Sequence, residues 1–237
     1  MERLKGTIVT AEHRGETVRF FVTRPRDVIQ RHHVRGEFYE AEELALIADH
    51  LAPGATFVDV GANVGNHVVY VARFLRPRRV IAFEALPPAI ALLRINVALN
   101  GIDGAVDLGR LGCGLSDAQG RAELVTTRGN LGGTRLRAHA SGAVPLVTGD
   151  EALAGEAVDF VKIDVEGMEM RVLAGLARTI AASRPILFVE VDDDNLPAFR
   201  DWLEANRYAV RARFRRYRTN ENYLVSSAAG GAGGAEG

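Results

Sequence analysis

Two alternating sequence patterns run through the middle of this 237-residue chain and most constrain its fold. Short apolar runs rich in β-branched residues, such as TFVDVG (56–61) and RRVIAFEA (78–85), alternate with segments of helical apolar spacing. Strands that alternate with helices form βαβ crossovers, which join parallel strands. The central runs are almost continuously apolar, as expected when helices cover both faces of a sheet. We therefore predict an α/β fold with a mostly parallel, doubly wound sheet.

The two ends of the chain depart from this alternation. Residues 6–22 predict a β-hairpin around a polar turn, and residues 36–51 predict a helix. Near the other end, YAVRARF (208–214) and ENYLVSS (221–227) predict an antiparallel hairpin at the sheet edge. The predicted units are an N-terminal hairpin and helix at 1–52, a core domain at 53–227, and a disordered Gly/Ala-rich tail at 228–237.

Four further assignments concern the second half of the core. VDLGRLGCGL (106–115) predicts a third core strand, and the Gly-rich segment 128–143 predicts an irregular loop. AVDFVKIDV (157–165) predicts the next strand, and residues 169–182 predict a single helix after it.

The loop after the first core strand carries the first candidate binding residues, because ligands of open α/β sheets bind beyond the carboxyl ends of the strands. Gly61 can adopt a positive φ, and Gly65 opens a helix whose free N–H groups favour an anionic group. The G-x-G-x-x-G pattern that seats a pyrophosphate is missing. Asp59 and Asn63 stand there instead, and an acidic side chain favours an amine.

A second acidic residue, Glu84, ends the next core strand, where carboxylates bind ribose hydroxyls. One ligand that combines an amine, a carboxylate and a ribose is S-adenosylmethionine. The two acidic strand ends therefore favour this cofactor over a dinucleotide. An NAD-type oxidoreductase is the alternative, although its glycine pattern is absent.

Six segments, in this order, resemble the FkbM-type S-adenosylmethionine-dependent methyltransferases. The resemblance covers residues 36–226 and implies a class I methyltransferase (Rossmann-like) sheet with an antiparallel C-terminal edge. It also implies methyl transfer, usually to a hydroxyl oxygen of a sugar, polyketide or similar metabolite. The segments are FVDVGANVGNH, VIAFEALPPAIALLRINVALN, GLSD, NLGG, VDFVKIDVEGMEMRVLAGL and RPILFVEV.

The same resemblance implies a set of cofactor contacts. One of these residues, Asp117, could equally be a turn residue before Gly120 with no contact to the cofactor. The residues are Asp59, Gly61, Asn63 and Gly65 for the methionine end, Glu84 for the ribose, Ser116 and Asp117 for the adenine, and Glu37 with Tyr39 for a segment that covers the cofactor.

Three ionisable residues of the KIDVEG segment are the main catalytic candidates. Lys162, Asp164 and Glu166 end a core strand, and period-two alternation predicts that they share one side of an extended segment. Such groups at a ligand-facing strand end cost desolvation free energy, which favours a functional role. The structural alternative is a Lys–Asp pair followed by a Glu at a helix N-terminus.

Methylation of a hydroxyl also requires that its proton be removed, so a general base is expected. Candidates are Asp164 and Glu166, His67 directly after the glycine loop, and His139 in the Gly-rich segment. The sequence leaves the choice among these four residues open.

An acidic run, Asp192 to Asp194, follows Glu190 at the end of another strand. With Asp164 these residues could offer oxygen ligands to Mg²⁺. Acidic runs before a helix, however, usually cap it, and Pro197 marks the helix start. We therefore predict no metal site.

The remaining patterns bear on partners and on location. A net charge of −1 and the lack of a broad basic stripe disfavour nucleic acid, so we expect a small-molecule acceptor. The alternating Arg211, Arg213 and Arg215 predict a solvated strand edge or, alternatively, a clamp for a phosphorylated or nucleic-acid substrate. An RNA 2′-O-methyltransferase and a binding domain without chemistry are further alternatives.

The chain has one cysteine, Cys113, so no disulfide framework is expected. The sequence shows no apolar leader and no run long enough to span a bilayer. From this we expect a cytoplasmic protein without membrane contact, while the sequence gives no prediction of oligomeric state.

Overall fold

The structure, a computed structural model, describes residues 4–127 and 130–228. Its strands are β1 Thr7–His13, β2 Glu16–Val22, β3 Thr56–Val60, β4 Arg79–Phe83, β5 Val106–Asp107, β6 Gly114–Ser116, β7 Gly120–Thr127, β8 Asn130–Ala138, β9 Val144–Thr148, β10 Phe160–Ile163, β11 Ile186–Asp192, β12 Tyr208–Phe214 and β13 Asn220–Ser227. Its helices are α1 Gln30–Val34, α2 Ala41–His50, α3 Asn66–Phe74, α4 Pro87–Leu99, α5 Gly149–Ala152, α6 Glu169–Gly175, α7 Ala177–Ser183 and α8 Leu196–Asn206, with a 3₁₀ turn at Asp193–Asn195.

A seven-stranded sheet in the order β12-β13-β11-β10-β3-β4-β5 forms the centre of the fold. The strands from β11 to β5 are parallel, and β13 pairs antiparallel with both β11 and β12. The predicted mostly parallel sheet with an antiparallel C-terminal edge hairpin is confirmed. The register places Lys162 beside Asp59 on neighbouring strands.

Side chains of the central strands alternate between two apolar layers. Phe57 and Phe160 pack into one layer, whereas Val58 and Val161 pack into the other. All five residues of β3 are buried, which accounts for its continuous apolar pattern. The N-terminal hairpin and α2 contribute residues to the first layer, so they pack on the core. The division of the chain at residue 52 stays a prediction.

The predicted third core strand is wrong for most of its length. Only Val106 and Asp107 pair with β4, because the chain then turns at Gly109, whose N–H donates to Asp107 Oδ1 over 2.8 Å. Gly112, with φ at +95°, turns the chain again before β6. β6 belongs to a second, four-stranded sheet in the order β6-β9-β7-β8.

The predicted irregular loop at 128–143 is also wrong, because residues 130–138 form β8 and pair with β7 in antiparallel register. Leu124 and Leu136 face each other across this pair and pack against Leu146. Cross-strand apolar contact here outweighs the low strand propensity of the glycines. β9 and α1 had no counterpart in the sequence-based assignment.

The helix predicted at 169–182 is divided into α6 and α7 at Leu176. A Cβ at Gly175 would lie 2.0 Å from the backbone oxygen of Ser116, so only glycine allows α6 to approach β6 so closely. At the C-terminal end, the N–H of Ala228 donates to Arg207 O over 2.9 Å. The remainder of the predicted tail lies outside the described residues.

Candidate active site

A cavity of about 310 Å³ opens at the carboxyl ends of β3, β4, β10 and β11. The loops that follow these strands form its floor, and the second sheet closes one side through β7 and β8. Tyr39 and Glu40 enter from the N-terminal segment, and Tyr217 enters from the loop between β12 and β13. The hydroxyl groups of Tyr39 and Tyr217 contact each other above the cavity.

The loop after β3 has left-handed backbone at three positions. Gly61, Asn63 and Gly65 have φ values of +88°, +49° and +87°. A Cβ at Gly61 would lie 1.9 Å from Asp164 O, and one at Gly65 would lie 2.5 Å from Leu93 Cδ1. Gly61 and Asn63 line the cavity, whereas Gly65 supports the loop from behind. The two glycines are therefore required by packing as well as by backbone conformation.

Glu84 lies at the cavity wall directly after β4. Its carboxylate accepts hydrogen bonds from the N–H groups of Asn63 at 2.8 Å and of Leu86 at 2.7 Å. Burial raises the pKa of Glu84, and these backbone donors partly oppose the rise. Glu84 thus ties the loop after β3 to the loop after β4.

Asp59 and Lys162 form a buried ion pair beneath the cavity floor. Lys162 Nζ lies 3.5 Å from Asp59 Oδ1 and 3.2 Å from Asp164 Oδ2, and Asp59 is fully buried. Burial opposes the charge on Lys162, but the carboxylates of Asp164 and Asp59 raise its pKa above the ordinary value. Asp59 is not part of the cavity wall, so its predicted contact with a cofactor stays a prediction. What the structure shows is that Asp59 holds Lys162.

Three carboxylates meet at the rim above Lys162. One oxygen each of Asp164, Glu166 and Glu190 lie within 4.8 Å of one another. Burial and the Asp164 carboxylate raise the pKa of Glu166 to about 7 and that of Glu190 to about 10. The predicted meeting of Lys162, Asp164 and Glu166 at one cavity is therefore seen in the structure.

The reason for this meeting differs from the prediction. Glu166 is not in extended backbone, because it occupies a turn with φ at +53°. The turn, rather than period-two alternation, directs its side chain to the cavity.

Glu40 was missed by sequence reasoning, which selected Glu37 from the same segment. Glu40 is buried at φ +58°, and its Oε2 lies 3.6 Å from Nε2 of His67. Burial and the Asp164 carboxylate raise the pKa of Glu40 to about 8, whereas burial lowers the pKa of His67 well below its usual range. Glu37 lies away from the cavity and pairs with His32 at 3.5 Å. The burial of Glu40 depends on its left-handed backbone, which no sequence pattern indicated.

Asn66 was also missed. Its side chain accepts from the Tyr39 N–H at 3.0 Å and donates to the Tyr39 carbonyl at 2.8 Å. The start of α3 thereby fixes the segment that carries Tyr39 and Glu40 over the cavity. The only sequence feature that could have drawn attention to Asn66 is a second Asn three residues after Asn63, at the start of the helix.

The predicted adenine contacts lie outside the cavity wall. Ser116 Oγ donates to Asp117 Oδ1 at 2.9 Å, and that oxygen lies 3.7 Å from Arg171. Their role toward a cofactor stays a prediction. An apolar end of the cavity lies near them and is formed by Leu86, Ala89, Cys113, Leu115, Leu124 and Leu136.

The other candidates are separated from the cavity floor. His139 is exposed and contacts Ser141 through Nδ1 at 3.0 Å. Asp192 pairs with Arg135 at 3.2 Å, and Asp193 pairs with Arg215 at 2.8 Å. The acidic run therefore mostly serves surface ion pairs.

The parallel sheet with an antiparallel edge and a cavity at its carboxyl ends defines a Rossmann-like fold of the class I methyltransferase type. Residues 59–211 match the methyltransferase FkbM domain model, so the chain belongs to the FkbM methyltransferase family. This confirms the resemblance identified from the sequence and the assignment as a methyltransferase enzyme.

Relatives and solved structures agree with this assignment. The methyltransferase sdnD of Sordaria araneosa is 30% identical to this chain. The alignment covers 50% of this chain and 59% of sdnD. The solved structure of a methyltransferase FkbM from Methylobacillus flagellatus is similar in fold, with a TM-score of 0.52 and 18% sequence identity. The superposition covers 73% of this chain and 44% of that chain. The aTrm5 protein, solved in complex with tRNALeu, is also similar in fold, with a TM-score of 0.54 and 12% sequence identity. The superposition covers 94% of this chain and 53% of that chain. The chain thus spans less than two thirds of these proteins.

Among the residues that the structure describes, no helix is both long enough and apolar enough to cross a membrane.

Proposed function

We propose that the protein binds S-adenosylmethionine in this cavity and methylates a hydroxyl oxygen of a small metabolite. Bound S-adenosylmethionine supplies an electrophilic methyl group and leaves as S-adenosylhomocysteine. The residues of the cavity fit such a ligand at both ends. Glu84 and Asn63 suit the ribose and the amine of the cofactor, and the apolar end suits an adenine ring.

The observation that carries this proposal is the position of Glu84 between the two ligand-facing loops. Its Oε1 accepts from the Ala85 and Leu86 amides, whereas Oε2 accepts from the Asn63 amide and can accept a further hydrogen bond from a ligand. Asn63 Oδ1, which is buried without a hydrogen-bond partner in the described structure, is available to a ligand amine.

The general base is assigned to the pair of Glu40 and His67. The pKa of Glu40 lies at about 8, close to the range in which a base works well at neutral pH. His67 is 5% exposed, and its Nε2 lacks a hydrogen-bond partner within the described residues. The acceptor oxygen gives its proton to Glu40 as its bond to the methyl carbon forms, and neutral His67, with Nε2 at 3.6 Å from Glu40 Oε2, positions that carboxyl group. Lys162 and Asp164 orient the floor of the site.

A small acceptor is favoured over a nucleic acid because three arginines of β12 and of the loop after it are already paired. Arg216 binds Glu43, Arg215 binds Asp193, and Arg211 donates to Ser226. Phosphate contacts require free basic groups along the binding surface. The likeness to aTrm5 concerns the fold alone at 12% identity.

The experiment is methyl transfer from labelled S-adenosylmethionine to a panel of hydroxyl metabolites, with unmodified tRNA as a separate arm. The expected result is label on a small hydroxyl compound, with the O-methyl group located by mass spectrometry. Glu40→Gln should lower kcat by roughly 10²–10⁴-fold. Binding of S-adenosylhomocysteine should be kept in this variant. Label on tRNA alone would replace the small-molecule acceptor by a nucleic acid.

A further inference from the structure

The three carboxylates at the rim are closer together than mutual repulsion favours. Asp164, Glu166 and Glu190 come from two neighbouring strand ends, and one oxygen of each lies within 4.8 Å of the others. Like charges at such separations disfavour the ionised state of one another. The cluster is therefore arranged to receive a positive charge.

The protein supplies little of that charge itself. Lys162 is the only cationic side chain in the cavity lining formed by the described residues. Glu40 and Glu84 add two more carboxylates to the same lining. Five acidic side chains thus face one lysine, which is already bound to Asp164 and Asp59.

Asn220 provides a second and independent indication of a ligand. It lines the cavity beside Glu190, is 6% exposed, and donates through Nδ2 to Glu190 Oε1 at 2.7 Å. Its Oδ1 is buried and has no hydrogen-bond partner among the described residues. Leaving a buried amide oxygen unsatisfied is unfavourable, so this oxygen points to a missing partner. A cation or a hydrogen-bond donor bound in the cavity would satisfy this oxygen, whereas an ionised acidic group would not.

We propose that Asp164, Glu166 and Glu190, with Asn220 beside them, bind one divalent cation of the Mg²⁺ type. Carboxylate and amide oxygens are the ligands that Mg²⁺ and Mn²⁺ prefer. Asp164 accepts a hydrogen bond from Lys162 through Oδ2. Its other carboxylate oxygen, Oδ1, would bind the ion. This inference departs from the sequence-based expectation of no metal, which had treated Glu190 together with the capping run at 192–194.

The ion would also sharpen the proposed chemistry. Asp164, Glu166 and Glu190 would hold the ion at this rim, where it would supply Lewis-acid chemistry toward the acceptor hydroxyl group. The hydroxyl proton then passes to Glu40. This role rests on the proposed function, but binding of the ion does not.

The test is a titration of the chelator-treated full chain with Mn²⁺, followed by electron paramagnetic resonance of free Mn²⁺ and by calorimetry. We expect one bound ion per chain. Glu166→Gln and Glu190→Gln should each weaken Mn²⁺ binding by at least about tenfold. The matched control is Asp193→Asn, since Asp193 is a nearby acidic residue paired with Arg215. That control should bind Mn²⁺ as the wild type does.

A second measurement keeps the result independent of folding. Mg²⁺ should raise the melting temperature of the wild type and of Asp193→Asn but not of Glu190→Gln, whose circular dichroism spectrum should match the wild type. No stoichiometric Mn²⁺ binding by the wild type, or equal binding by all variants, would overturn the metal site. Binding of S-adenosylhomocysteine in the presence of chelator separates this failure from a failure of the proposed function.

Discussion

Arg216 donates two hydrogen bonds to the Glu43 carboxylate, from Nε to Oε1 at 2.7 Å and from Nη2 to Oε2 at 2.6 Å. The pair joins the loop between β12 and β13 to helix α2, which are far apart in sequence. Glu43 is fully buried, while the Arg216 side chain is 30% exposed. Because Tyr217 and Glu40 flank this pair and line the cavity, the contact fixes the cover of the site.

Arg216→Ala should therefore lower the free energy of unfolding by roughly 2–3 kcal/mol, since it leaves the Glu43 carboxylate buried without its partner. The value is below that of a fully buried pair because solvent reaches Arg216. Chemical denaturation measures the change. Arg215→Ala is the control, because Arg215 pairs with Asp193 at the surface, and it should unfold as the wild type does. Equal loss in both variants would contradict the role of the Glu43 contact.

Gly61→Ala should abolish binding of S-adenosylhomocysteine. The added Cβ would lie 1.9 Å from Asp164 O, and the backbone φ of +88° is unfavourable for alanine. The loop would have to move away from Asp164, and the cavity floor would move with it. Gly104→Ala is the matched control, because it has open space for a Cβ and should bind the ligand normally. Unchanged calorimetric affinity in Gly61→Ala would show that the loop does not hold the ligand.

Lys162→Met should lower the free energy of unfolding by about 3–5 kcal/mol, because it leaves the buried Asp59 carboxylate without a cation. Adding Asp59→Asn to that variant removes the isolated charge and should restore much of the loss. Urea denaturation of the two single variants and the double variant measures the coupling. Simple additivity of the two losses would contradict a direct Asp59–Lys162 interaction.

The buried His33 should make stability depend on pH. Burial lowers the pKa of His33 to about 4, although Asn66 Oδ1 contacts its Nε2 at 3.1 Å. Since the unfolded-state pKa is about 6.5, the unfolded chain binds more protons between pH 4 and 6.5. The stabilisation is complete above pH 6.5 and is lost as the pH falls to 4.

The folded and unfolded pKa values of His33 differ by about 2.5. This difference corresponds to about 3 kcal/mol of unfolding free energy that is lost between pH 6.5 and pH 4. Comparing unfolding of the wild type with His33→Gln at pH 7.5 and pH 4 isolates this contribution from that of other groups. The advantage of the wild type should shrink by about that amount at pH 4. An advantage that is the same at both pH values would show that folding does not lower the pKa of His33.

The sheet was predictable because its signal is local and repeated. Apolar strands such as TFVDV are buried on both faces, and the position of Gly61 directly after such a strand indicated the positive φ that the structure has there. The same logic placed Glu84 at the cavity wall and brought Lys162 to Asp164. Neighbouring parallel strands end at one edge, so residues at strand ends meet there.

The parts that could not be predicted depend on contacts between distant segments. Glu40 reaches the cavity through a left-handed backbone that Asn66 stabilises by holding Tyr39. β8 forms because Leu136 meets Leu124 on another strand, against the tendency of its glycines. Asn220 became relevant only when its partner Glu190 was known. Single-sequence patterns do not carry such pairings.

Calorimetric titration of the purified chain with S-adenosylhomocysteine tests the central claim most directly. We predict binding of one ligand per chain by the wild type and much weaker binding by Glu84→Ala, which removes the carboxylate held by Asn63 and Leu86. No binding of S-adenosylhomocysteine by the folded wild type, together with binding of NADH, would contradict the account.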